Sequence, residues 1–252
     1  MILYSNSYDY VINPSDPALK MIVGSGLLAN AFPLSLFQQE DVCIYAAGVS
    51  NSTCKDSSEF AREYKRLEAA LQHASKVDVF VYFGTCSVAD PEALDTPYVL
   101  HKLAMEQLVK THPRNLTLRL PQVIGKTPNP HTLLNFLYAR ILRGESFKLW
   151  NKAHRNIIDV IDVALIAQQF IEEKSFRNTT LNIANLVNYS VTDIVGTMER
   201  ILKKRGVYDI VEMGSEYSIE IDAVLSVMGK AGVKFGNDYL EKIISKYYGK
   251  TA

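Results

Sequence analysis

The chain predicts an α/β fold: a parallel sheet with helices on both faces and a small mixed C-terminal lobe. Three observations carry this. Apolar runs of strand length alternate with segments of helix length, as in a sheet covered on both sides. The first convincing strand ends in a glycine-rich turn. Hydrophobic residues make up 48% of 252 positions, enough for one large core without disulfides or metal.

The elements follow in order. Leu19–Val23 reads as a strand ending at Gly24, and Leu27–Gln39 as the helix after it, with Pro33 set to bend its axis. Val42–Ala46 is the next strand. Glu59–Ala74 is an amphipathic helix with Phe60, Tyr64, Leu67 and Leu71 on its apolar stripe. Val77–Phe83 is a buried strand that stops at Gly84-Thr85. Thr96 is the expected N-cap of a helix that starts at Pro97 and runs to about Lys110. Leu116–Val123 is a strand closed by Gly125, where a soft lobe boundary falls: residues 1–125 form one part, and 126–252 a second lobe expected to return elements to the main sheet. In that lobe the pattern predicts helices at His131–Arg143, Ile161–Glu173, Val191–Lys204 and Asp238–Tyr248. Its predicted strands are Ser146–Trp150 and Thr180–Ala184.

The segment Val23-Gly24-Ser25-Gly26-Leu27-Leu28-Ala29 has the form G-x-G-x-x-A after a strand. Glycines there permit a sharp turn and close approach of backbone to a pyrophosphate, so Gly24, Ser25, Gly26, Leu27 and Leu28 are the expected phosphate-binding residues of a Rossmann-like domain. Taken alone, such a turn also serves a loop with no ligand. An acid that would hold the adenosine ribose is expected about 20 residues later, but Val42-Cys43-Ile44-Tyr45-Ala46-Ala47-Gly48 ends without one. Either the second and third strands of the usual fold are lost, or the ribose is held differently. NAD and NADP both stay open.

Tyr98 and Lys102 stand four apart on a predicted helix and share a face. An ammonium beside a phenol favours the phenolate, and a phenol so tuned can exchange a proton with a sugar hydroxyl or carbonyl. Thr85 closes the preceding strand at the carboxyl edge, where ligands bind in such sheets. Y-x-x-x-K by itself is equally a mark of an ordinary amphipathic helix. The order of glycine loop, strand ending in Thr, then Tyr-x-x-x-Lys helix argues for a site.

Other classes are disfavoured. Lys plus Arg and Asp plus Glu both number 27, which offers no electrostatic attraction for nucleic acid or an acidic membrane. Cys43, Cys54 and Cys86 form no CxxC pair and fit reduced thiols in the cytoplasm. The first twenty residues lack a signal peptide's apolar run, and no segment reaches the ~20 apolar residues of a membrane helix. The five histidines show no metal-ligand spacing, so no metal is expected.

With these residues assembled, the chain resembles the extended short-chain dehydrogenase/reductases, specifically the NAD-dependent nucleotide-sugar epimerase/dehydratase family. The glycine loop is similar to that of the family. Ile44-Tyr45-Ala46-Ala47-Gly48-Val49-Ser50 resembles its fourth strand and places Ala46, Ala47 and Gly48 along the cofactor. Phe83-Gly84-Thr85-Cys86-Ser87-Val88 resembles the strand carrying the catalytic Ser or Thr, at Thr85, and Tyr98-Val99-Leu100-His101-Lys102 supplies Tyr98 and Lys102 as catalytic and cofactor-binding residues. Leu118-Arg119-Leu120-Pro121-Gln122-Val123-Ile124-Gly125 looks like the next strand, with Pro121 at the nicotinamide and Gln122 at the substrate. Arg155-Asn156-Ile157-Ile158-Asp159-Val160 resembles the segment that brings an Arg, here Arg155, to the substrate diphosphate.

Two departures stand out. Thr85 and Tyr98 are closer together than in the family, and Cys86-Ser87 replaces the Asp-Glu pair that dehydration requires. The resemblance therefore implies an NAD(P)-dependent epimerase or reductase of a nucleotide-linked sugar, of the kind used in surface polysaccharide biosynthesis. It also implies a homodimer through Glu59–Ala74 and Pro97–Lys110, with Phe60, Leu103 and Leu108 available for the contact. The alternative is a non-catalytic dinucleotide-binding regulatory or assembly protein on the same fold.

Overall fold

The computed structural model describes residues 10–12, 21–32 and 42–249. In chain order the strands are β1 (Tyr10–Ile12), β2 (Met21–Val23), β3 (Val42–Tyr45), β4 (Val79–Thr85), β5 (Asn115–Leu120), β6 (Gln122–Ile124), β7 (Ser146–Trp150), β8 (His154–Asp159), β9 (Thr179–Asn182), β10 (Asn188–Ser190) and β11 (Val207–Val211). The α-helices are α1 (Ser57–His73), α2 (Pro97–Val109), α3 (Leu133–Arg143), α4 (Val160–Glu172), α5 (Val191–Leu202), α6 (Asp222–Val227) and α7 (Tyr239–Tyr248).

The main sheet has the order β1-β2-β3-β4-β5-β9. From β2 to β9 all pairings are parallel, and β1 is added antiparallel at the β2 edge. Parallel strands are buried on both faces, which is why β4 reads as an unbroken apolar run and is buried throughout. Side-chain alternation divides it between two layers. Phe80 and Tyr82 pack with Leu67, Ala70, Met105 and Val109 of α1 and α2. Val79, Val81 and Phe83 pack with Val163, Ile166, Ala167 and Phe170 of α4. A further cluster in the C-terminal part joins α3, α5 and α7 through Leu137, Ile141, Ile194, Met198, Ile243 and Ile244.

The predicted α/β architecture is observed, with several corrections. The stretch expected as one strand, Leu116–Val123, breaks at Pro121, which has no N–H for a ladder. β5 stays in the main sheet, and β6 joins a second sheet of order β10-β8-β6. β1, β8, β10, β11 and α6 were not expected. The described part of the expected helix Leu27–Gln39 is a turn followed by a 3-10 segment, Ala29–Ala31; its remainder, with Pro33, lies outside the described residues. On α1, Tyr64 was expected in the apolar stripe but is 43% exposed, and Glu63 is buried instead. Thr96 does cap α2, accepting from the Val99 N–H at 3.4 Å. Among the described residues no helix is long and apolar enough to cross a membrane.

Candidate cofactor and substrate cleft

A cleft of about 340 Å³ opens at the carboxyl edge of the main sheet. β4 brings Thr85 to its wall, and the first turns of α2 bring Tyr98 and Lys102, one turn apart on the same face. Gly26, Leu27, Leu28, Ala46 and Gly48 line it from the β2 and β3 ends. Pro121, at the break between β5 and β6, and Gln122 and Arg155 of the second sheet also line it. Three expected residues do not. Gly24 is turned against Ala46, Ser25 is exposed, and Ala47 faces an adjoining cavity of about 330 Å³.

The two loop glycines differ. Gly24 has φ +127°, and a Cβ there would stand 2.5 Å from the Ala46 carbonyl oxygen. A Cβ on Gly26 would meet nothing within 4 Å among the described residues, so among them this backbone is open to a ligand. Thr85 Oγ1 accepts from the Ser87 N–H at 3.1 Å, which leaves the hydroxyl proton free to donate into the cleft. The Tyr98 side chain is buried, yet its hydroxyl has no hydrogen-bond partner among the described residues.

Lys102 is 3% exposed, and its ammonium donates to Glu63 Oε1 at 3.1 Å. Glu63, at 2% exposure, also accepts from the Tyr82 hydroxyl at 3.1 Å and from the Val49 N–H at 2.7 Å. His101 Nε2 lies 2.9 Å from its second oxygen. Burial alone would raise the Glu63 carboxyl. The Lys102 charge and the hydrogen bonds from His101 and Val49 outweigh it and hold the group at about 2. Glycine at position 48 makes room for this pairing, since a Cβ there would lie 2.7 Å from Lys102 Nζ.

Sequence reasoning missed Glu63, and a signal was present: an acid placed between Phe60 and Leu67 at helical spacing. It also missed Tyr217, which lines the cleft near Ser87 and Arg155 from the segment after β11; burial raises its phenol. Asn129 was missed as well, whereas Ser50, a polar residue expected to be able to reach the ribose, does line the cleft. The Asn129 amide donates to Ser50 Oγ at 3.3 Å where the two cavities adjoin. Cys86 is buried beside Asn182, and its thiol is pushed up to about 12 by burial, so it offers no acid to the cleft. Arg155 spends one N–H on the His154 carbonyl at 2.7 Å, leaving the rest of its guanidinium for a ligand.

The sequence profile of the NAD-dependent epimerase/dehydratase family matches residues 34–184, more than half of the chain. The chain belongs to this family. The match begins after the glycine loop and takes in Thr85, Tyr98, Lys102, Pro121, Gln122 and Arg155. No curated protein matches in sequence. Solved structures of similar fold include MoeE5 in complex with UDP-glucuronic acid and NAD, at 19% identity and TM-score 0.64, covering 80% of this chain and 76% of that one. UDP-glucuronic acid 4-epimerase from Bacillus cereus in complex with NAD is similar at 19% identity and TM-score 0.63, over 86% and 77% of the two chains. RMD from Pseudomonas aeruginosa complexed with NADPH is similar at 16% and 0.61, over 81% and 79%.

The family's cofactor is a nicotinamide dinucleotide, and this chain's residues fit its two ends unequally. Tyr98, Lys102, Pro121 and the Gly26 backbone share one cleft, with room for the nicotinamide half and the phosphates. At the adenosine side, β2 pairs directly with β3. Antiparallel β1 occupies the next position. Among the described residues, no parallel strand stands at the position where a ribose acid is expected in a dinucleotide-binding sheet.

Proposed function

We propose that the chain is an NAD(P)-dependent epimerase or reductase acting on a nucleotide-linked sugar. The observation that carries this reading is the convergence of Thr85, Tyr98 and Lys102 on one cleft, with Gly26 and Pro121 beside them and Arg155 on the second sheet. A bound dinucleotide supplies or removes hydride. Tyr98 gives a proton to, or takes one from, the sugar oxygen; Lys102 is its electrostatic partner; the Thr85 hydroxyl orients the same oxygen. Gln122 and Arg155 hold the substrate, with the guanidinium suited to a diphosphate. The relatives in fold are bound to UDP-glucuronic acid, NAD and NADPH, which supports that substrate and cofactor class. With Cys86-Ser87 in place of an acid pair, epimerisation or reduction is favoured over dehydration.

We further assign the chain to the cytoplasm, as a homodimer, in surface polysaccharide biosynthesis. An NADH fluorescence titration, followed by a turnover screen over UDP- and dTDP-linked sugars, tests the reading; turnover of any of them supports it. A second reading, a non-catalytic dinucleotide-binding regulatory or assembly protein, is favoured by the antiparallel β1 that stands beside β2 on the adenosine side. Binding without turnover would support it.

A further inference from the structure

The sequence pairs Tyr98 with Lys102, but the fold gives Lys102 a second partner. Glu63 reaches it from α1 and lines the adjoining cavity, not the cleft, and both groups are almost wholly buried. The same carboxylate holds the Val49 amide at 2.7 Å, and so ties the lysine to the loop Ala46–Ser50 that lines the cleft. The charged and titratable groups around it are Lys102, His101 and Tyr98 on α2, Tyr82 on β4, Tyr45 on β3, and Glu59, Arg62 and Arg66 on α1. Tyr82 donates to the carboxylate, and Tyr45 donates to the Glu63 backbone carbonyl at 3.2 Å. Arg66 faces the adjoining cavity.

An ammonium 3.1 Å from a buried carboxylate projects far less field than a bare one, because the two opposite charges act as a dipole at a distance. We propose that Glu63 is a positioning residue that fixes Lys102 and offsets its charge, so that the Tyr98–Lys102 pair releases its first proton at higher pH than the pair alone would. The proposal rests on the reading of Tyr98 and Lys102 as the acid–base pair. Its consequence is a site biased toward giving a proton rather than taking one. In that direction the substrate carbonyl carbon receives hydride from a reduced nicotinamide, its oxygen takes the Tyr98 proton to become a hydroxyl, and solvent reprotonates Tyr98. The carbonyl is reduced and the nicotinamide oxidised.

The test uses the full chain without cofactor or substrate. Tyr98 is titrated by phenolate absorbance as the difference between each protein and its Tyr98→Phe counterpart, and Lys102 by the ¹⁵N shift of its Nζ. Both groups are followed because coupled sites share their titration steps. Removing a nearby negative charge eases loss of a proton from the pair whichever group gives it up. Glu63→Gln is expected to lower the first step by at least about one pH unit. Glu63→Asp, which keeps the charge but withdraws it, is expected to lower it by less, and serves if the amide variant does not fold. A first step within about 0.3 unit of the parent in a folded variant would overturn the proposal. The acid–base reading fails by a different result, unimpaired turnover in Tyr98→Phe, so the two failures are distinguishable.

Discussion

Gly24 lies directly against the Ala46 backbone: a Cβ at position 24 would stand 2.5 Å from the Ala46 carbonyl oxygen and 2.8 Å from its carbon. Backbone cannot retreat as a flexible side chain can, and φ +127° disfavours any L side chain there. Gly24→Ala is therefore expected to destabilise the fold by about 2 kcal/mol, measured by urea unfolding. A change under ~0.5 kcal/mol would contradict the contact.

Gly26 is the opposite case. With no described residue within 4 Å of its Cβ position, Gly26→Val should stay folded, with thermal stability near the parent. Its branched side chain would enter the space given to the phosphates, and affinity for NADH should fall by at least about tenfold, or ~1.4 kcal/mol. Unchanged affinity in the folded variant would remove this loop from the site.

Tyr98→Phe deletes a hydroxyl that bonds to no described residue, so folding should tolerate it. Turnover should be lost while dinucleotide affinity stays within a few-fold. Near-normal turnover would sink the acid–base assignment.

Acid should weaken the fold through Glu63. Its carboxyl sits at about 2 in the fold against 4.5 for a free glutamate. A depressed carboxyl stabilises above its unfolded value, and that stability drains as pH falls toward its folded value. The full contribution is about 3 kcal/mol, of which about 2 should be gone by pH 3. Urea unfolding at pH 7 and pH 3 should show the parent losing that much more than Glu63→Gln; equal losses would count against a charged Glu63.

The proposed dimer has a more specific form in the fold than in the sequence. Phe60, Leu103 and Leu108 are only partly accessible, whereas Tyr64 is 43% and Leu100 53% exposed on the outer faces of α1 and α2. Leu100→Glu should therefore convert a dimer to a monomer by light scattering. A parent chain that is already monomeric at micromolar concentration would refute the pairing.

Selectivity between NAD and NADP should be weak. Among the described residues, the charged side chains lining the cleft are Lys102 and Arg155, and neither stands at the β2 edge. The two dissociation constants should differ by less than about tenfold, or ~1.4 kcal/mol. A hundredfold preference would show that a charged group reaches the ribose from elsewhere.

Local chemistry determined much of this protein. An apolar run of strand length must be buried on both faces, so β4 and the layers around it were legible from the sequence, as was the α2 start at Thr96-Pro97. So were the turn at Gly24 and the shared face of Tyr98 and Lys102, because each depends on residues within one turn of chain. Contacts between distant segments were decided only by the tertiary structure. Pro121 marks a place where the ladder must break, but not which sheet β6 will join. Tyr64 and Glu63 are neighbours on one helix, and either fits the local periodicity. Glu63 turns inward because Lys102, His101, Tyr82 and the Val49 amide, supplied by three other segments, together repay the cost of burying its charge. No window of sequence holds those partners at once, so the pairing that restrains the lysine became visible only when the chain was folded.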